Sequence, residues 1–149
     1  MTELGELTYR RVHDAPRELL FDCMTQPEHL AQFWGPAGTQ APAGGITVDL
    51  RPGGVFETVM VNDSDGHQYA MRAIYVEVRR PDLLVWTEPG VEGGMTTTIT
   101  FTDIGDGRTE VITRQTNVPE HFRSPQAQAG FATSLDRFAA YVAAISTGS

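Results

Sequence analysis

Ser124-Pro125-Gln126-Ala127-Gln128-Ala129-Gly130-Phe131-Ala132-Thr133-Ser134-Leu135-Asp136-Arg137-Phe138 opens the last element of this chain, and its reading decides the fold. Ser124-Pro125 is a helix start: a hydroxyl cap, then a proline whose missing N–H costs nothing in a first turn. Phe131, Leu135, Phe138, Val142 and Ile145 recur at steps of four and three residues, one apolar stripe about four turns long. Gly130 interrupts the early helix at a cost of about 1 kcal/mol relative to alanine. It implies close backbone approach or room for something else, and helix-to-sheet packing is the simpler explanation.

The surface that this stripe covers is written in the residues before it. From Ile46 the apolar period falls to two: Ile46, Val48 and Leu50 alternate with Thr47 and Asp49. Asp49-Leu50-Arg51-Pro52-Gly53-Gly54 then turns the chain into a strand over 55–61, which makes a hairpin. Strands are predicted over 69–79, 83–88, 95–103 and 108–117, punctuated by turn clusters at 62–66, 80–82 and 89–94 and by the hairpin turn Asp106-Gly107. With a first strand over 4–13, carrying Leu7, Tyr9 and Arg11 on one face, the chain holds seven strands, six of them a continuous antiparallel meander.

Between the first strand and the hairpin the period is helical. Asp14-Ala15-Pro16 signals a helix start, with Asp14 as cap, and Leu19, Leu20, Cys23 and Met24 form an apolar side. Thr25-Gln26-Pro27-Glu28 matches a capping box for a second short helix carrying Leu30, Phe33 and Trp34, which Gly35-Pro36 ends. The Ala/Gly/Pro-rich stretch to Gly45 has no period and is expected to be a loop, long enough for a flap.

Strand, two short helices, six strands and a long helix make an α+β architecture, in which a curved antiparallel sheet wraps the C-terminal helix. One helix does not fill the concavity of so broad a twisted sheet, so a cavity lined mostly by apolar side chains is expected between them. No internal repeat or low-complexity linker divides residues 1–149, which read as one domain.

In this order the blocks resemble the START-like helix-grip superfamily, in its branch similar to the C-terminal domain of the activator of Hsp90 ATPase. Phe33-Trp34-Gly35-Pro36, the Asp49-to-Gly54 turn, Tyr75-Val76-Glu77-Val78 with Pro81 and Leu84, and Gly130-Phe131 through Tyr141 carry the resemblance, which covers nearly the whole chain. The branch commonly places glycine where Ala73 stands and tryptophan where Phe131 stands; both differences alter the expected cavity wall.

The resemblance, taken with strand alternation, turns Phe56, Met60, Met71, Tyr75, Trp86 and Phe101 inward toward Phe131, with Trp34 near the mouth, as an adaptable aromatic and methionine lining for a ligand, the competing reading being an ordinary core. Thr97, Thr113 and Gln115 share that phase and supply candidate polar contacts to a ligand, the competing reading being mutual hydrogen bonds within a core. Glu57, Glu77, Glu88, His67 and Arg72 lie near the sheet as acid–base candidates that desolvation can tune, although no catalytic residue is assigned.

Three functions stay open: a protein that binds a small apolar or aromatic molecule, in stress response or secondary metabolism; a cyclase- or aromatase-like enzyme using the same cavity; and an Hsp90-type co-chaperone or other interaction module. Binding is the leading expectation, with no cofactor. His13, His29, His67 and His121 are widely spaced and predict no metal site. Cys23 falls on a helix expected to pack, which suits a buried structural thiol.

Composition narrows the partners. A formal charge of −8 repels a phosphate backbone, so nucleic acid is not expected. No apolar run reaches the roughly 18 residues of a membrane span. The acidic, polar start Met1-Thr2-Glu3-Leu4-Gly5-Glu6 is unlike a secretory signal, and with one cysteine it makes the cytoplasm the default compartment. A homodimer is favoured only by the commonness of symmetric dimers.

Overall fold

The computed structural model describes residues 4–91 and 93–147. Met1, Thr2 and Glu3 of the acidic start, and Glu92 in the turn expected at 89–94, lie outside the described residues. The elements run β1 (Gly5–His13), α1 (Arg17–Thr25), α2 (Pro27–Phe33), β2 (Thr39–Gln40), β3 (Thr47–Val48), β4 (Val55–Asn62), β5 (Gln68–Arg79), β6 (Leu83–Glu88), β7 (Met95–Gly105), β8 (Arg108–Val118) and α3 (Pro125–Thr147).

Every pairing is antiparallel, in the order β1-β8-β7-β6-β5-β4-β2, with β3 also on β4. The six-strand meander is therefore present, and β1 adds to its far end beside β8. One strand was not foreseen: β2 lies within the stretch read as loop, pairing Thr39 and Gln40 with Asn62 and Val61. A two-residue ladder has no period to read. The expected strand at 46–50 contracts to β3, because Asp49 and Arg51 are drawn into the turn.

That turn is built from backbone. Asp49 N–H donates to the Val55 carbonyl and Gly54 N–H to the Arg51 carbonyl, while Gly53 N–H and the Gly54 carbonyl bond Tyr75 on β5. A Cβ on Gly54 would lie 2.0 Å from the Asp49 carbonyl oxygen, so any other residue must break the turn. At the β7–β8 hairpin both Asp106 and Gly107 take positive φ, 58° and 71°, as a two-residue turn with right-handed strand twist requires.

Two of the three helix caps differ from expectation. Ser124 caps α3, accepting from Ala127 N–H at 3.1 Å. Asp14 makes no cap on α1, which starts from Pro16, and the Thr25–Glu28 box does not form. α1 runs on through Thr25, whose hydroxyl donates back to the Phe21 carbonyl at 2.9 Å and is thereby spent before α2 begins at Pro27.

α3 crosses the concave face of the curved sheet. Phe138 and Val142 are buried along its stripe, and its rings meet β1 through Phe131 on Tyr9 (centroids 4.7 Å apart) and Phe138 on His13 (5.2 Å). α1 and α2 cover one end of the same face: Phe21 packs edge-on against Phe101 of β7, and Phe33 against Phe138. The Thr109 hydroxyl ties β8 to the Ala15 carbonyl at the start of this helical layer (2.7 Å). No helix among the described residues is long and apolar enough to cross a membrane.

Candidate functional site

Because α1 and α2 fill only one end of the concavity, a cavity of about 400 Å³ remains between the sheet and the N-terminal half of α3. Its floor follows from strand register. Leu7 pairs with Gln115, Gln115 with Thr97, Thr97 with Trp86, and Trp86 with Tyr75, one inward row across β1, β8, β7, β6 and β5. A neighbouring row runs Tyr9, Thr113, Ile99, Leu84, and on the other side Met95 faces Glu88.

Of the residues expected to face a ligand, Trp34, Met60, Met71, Trp86, Thr97, Thr113, Gln115 and Phe131 line this cavity. Phe56, Tyr75 and Phe101 do not. They share the inward phase but are covered before they reach it: Phe56 and Tyr75 stack on each other (5.7 Å, 10° between planes) beneath Trp34 and Trp86, and Phe101 lies under Phe21. All three are core residues, at most 2% exposed.

Trp34 is held in place on the cavity wall. Its indole Nε1–H donates to Thr58 Oγ1 at 3.0 Å, and its ring packs edge-on to Phe56. The segment that follows is fastened to α3: Arg137 Nη1 donates to the Gly35 and Pro36 carbonyls at 2.9 and 3.0 Å and reaches the Trp34 carbonyl at 3.5 Å. Ala37 N–H adds a bond to Thr133 Oγ1 at 3.0 Å. A cationic donor thus pins the carbonyls of the segment just beyond α2, where the Pro36 carbonyl also accepts from the Thr39 N–H and hydroxyl.

Gly130 lines the cavity too, and a Cβ there would meet nothing within 4 Å. Close helix-to-sheet packing is therefore not the reason for this glycine. Every described methionine, namely Met24, Met60, Met71 and Met95, lines the wall, and thioether side chains reshape readily around different occupants.

The polar wall includes two residues not assigned to the site from sequence. The Tyr9 hydroxyl is buried without a hydrogen-bond partner among the described residues, and burial pushes its pKa up. Its phase beside Leu7 was legible, but its place in the cavity depends on the pairing of β1 with β8. The Glu88 carboxyl, one of several acid–base candidates, is partly buried at the end of β6 and is pushed up to about 7 by that burial. Among the described residues lining the cavity it is the one side chain bearing a formal charge.

The other titratable groups belong elsewhere. Arg72 pairs with Glu57 at 3.2 Å and Arg79 with Glu77 at 2.7 Å, both largely in solvent, and His67 is exposed. Cys23 is fully buried, its thiol pushed up to about 11 by desolvation and then by Asp22, which leaves it protonated and inert as a nucleophile. Among the described residues no cluster of three or more His, Cys, Asp or Glu is arranged to hold a metal ion.

Comparison with solved structures places this geometry among known folds. Protein CV1439 from Chromobacterium violaceum superposes with a TM-score of 0.83 at 24% identity, over 93% of this chain and 97% of that one. Protein NE0264 from Nitrosomonas europaea gives 0.78 at 26% identity over 93% and 94%, and the AHSA1-like protein from Aeromonas hydrophila 0.80 at 20% over 95% and 94%. No curated protein matches. Residues 14–143 match the sequence model of the family described as activator of Hsp90 ATPase homolog 1-like protein, from Asp14 just after β1 to Ala143 in the last helix, and the chain belongs to that family.

Proposed function

We propose that this protein binds a small, largely apolar molecule in the cavity between the sheet and α3. The observation that carries this reading is the Tyr9 hydroxyl, a buried group with no partner among the described residues, on the wall of a cavity of about 400 Å³ otherwise lined mainly by apolar side chains. An unpaired buried hydroxyl costs about 1–3 kcal/mol, a penalty that a ligand's polar atom removes. Thr97, Thr113 and Gln115 add polar atoms along the adjoining rows, the sparse pattern that orients a ligand without dominating its burial.

Native mass spectrometry of protein purified from its own host tests the reading. The expected result is a reproducible added mass, absent under denaturing conditions and lost in Phe131→Ala at unchanged circular dichroism. Empty protein, together with no thermal shift from a panel of aromatic compounds, refutes it. Glu88 favours a second reading, an enzyme using the same cavity, because a carboxyl near pH 7 suits general acid–base work. In that case the bound compound is converted, and Glu88→Gln abolishes turnover while binding persists.

A further inference from the structure

We propose that the cavity selects an apolar molecule bearing one protonated amine, with the ammonium seated between the Glu88 carboxylate and the indoles of Trp34 and Trp86. This rests on the binding reading above and names the ligand class. Glu88 and Trp86 stand two residues apart on the inward face of β6, about 7 Å along the strand. Trp34 lies beside Trp86, their ring centroids 6.4 Å apart and their planes tilted by 56°. Met95 faces Glu88 across β7, and Met71 borders the same cavity. One carboxyl and two indoles lining the same apolar cavity are the groups that recognise an organic cation.

Charge excludes the opposite class. Among the described residues no Lys, Arg or His lines the cavity, so an anionic ligand meets Glu88 with no countercharge there. The chain's net charge of −8 likewise draws cations toward the mouth. A neutral ligand needs only hydrogen bonds, for which Tyr9, Thr97, Thr113 and Gln115 suffice. A partly buried carboxyl with no ion pair or hydrogen bond among the described residues is costly to keep ionised, and a ligand cation offsets that cost. Tyr9 is the other titratable group on the wall, and Arg72, in an adjoining hollow shared with Glu88, is paired with Glu57.

Three probes of one shape separate the alternatives: 1-naphthylmethylamine, 1-naphthalenemethanol and 1-naphthaleneacetate, titrated calorimetrically into the full chain. At about pH 8 the amine is expected to bind about tenfold more tightly than the alcohol, and the acetate least tightly. Toward about pH 6 that preference shrinks as Glu88 takes up its proton, while alcohol binding stays level. Near pH 7 amine binding releases a proton, read from the buffer dependence of the enthalpy. Glu88→Gln, close in shape, brings amine and alcohol to within about twofold of each other.

Alcohol binding as tight as amine binding overturns the amine assignment and leaves the cavity reading standing. The same follows if the preference persists in Glu88→Gln. No saturable binding of any of the three overturns both.

Discussion

Replacing Gly130 with alanine should stabilise this protein, by an amount the structure allows to be worked out. Gly130 is the sixth residue of a 23-residue helix, and its added Cβ would meet no atom within 4 Å. The steric term is then nil, and the helix gains about 1 kcal/mol, because alanine loses less backbone freedom on folding than glycine. At roughly 2.1 cal/mol/K per residue, the 149-residue chain unfolds with about 0.3 kcal/mol/K of entropy, so Tm rises by about 3 °C. Urea unfolding followed by circular dichroism should show the midpoint raised by about 0.5 M at an unchanged slope near 2 kcal/mol/M. The new methyl projects into the cavity, so ligand affinity should change along with stability. An unchanged or lowered midpoint would refute the argument, since it would mean that the space beside α3 is not open.

Two further outcomes follow from particular groups. Glu88 is raised from its ordinary 4.5 to about 7 by burial, so the folded state binds more protons than the unfolded chain between those values. Stability conferred by protonated Glu88 is complete below pH 4.5 and is lost as pH rises through 7. Glu88→Gln should therefore be more stable than wild type at pH 8 by on the order of 2 kcal/mol, and equal to it near pH 4.5; a gain independent of pH speaks against the desolvation argument. Arg137→Met strips a cationic donor from the carbonyls of Gly35 and Pro36 and should cost about 2 kcal/mol, with faster amide exchange at Ala37. A loss below about 0.5 kcal/mol would mean that the α2 end is held by other contacts.

The legible part of this chain was its local chemistry. Alternation from Ile46 onward, Asp106-Gly107, and the stripe from Phe131 to Ile145 each depend on near neighbours, and each gave the element it implied. The Thr25–Glu28 box failed for an equally local reason: the same hydroxyl had a closer use at the end of α1, bonding the Phe21 carbonyl. Resemblance then placed the elements in a known family.

The site itself was legible only as a face. Alternation says that Phe56, Tyr75 and Phe101 point inward, as do Trp86 and Thr97, but not which of them another ring will cover. That was decided by Trp34 over Phe56 and Phe21 over Phe101, contacts between residues far apart in the chain. Tyr9 entered the cavity because β1 pairs with β8 across more than ninety intervening residues. The pattern of the sequence thus determined which elements form and which side of each is apolar, since those follow from period and turn chemistry. Only the tertiary structure decided which inward residues are core and which are wall, because that depends on where α1, α2 and α3 come to rest on the sheet.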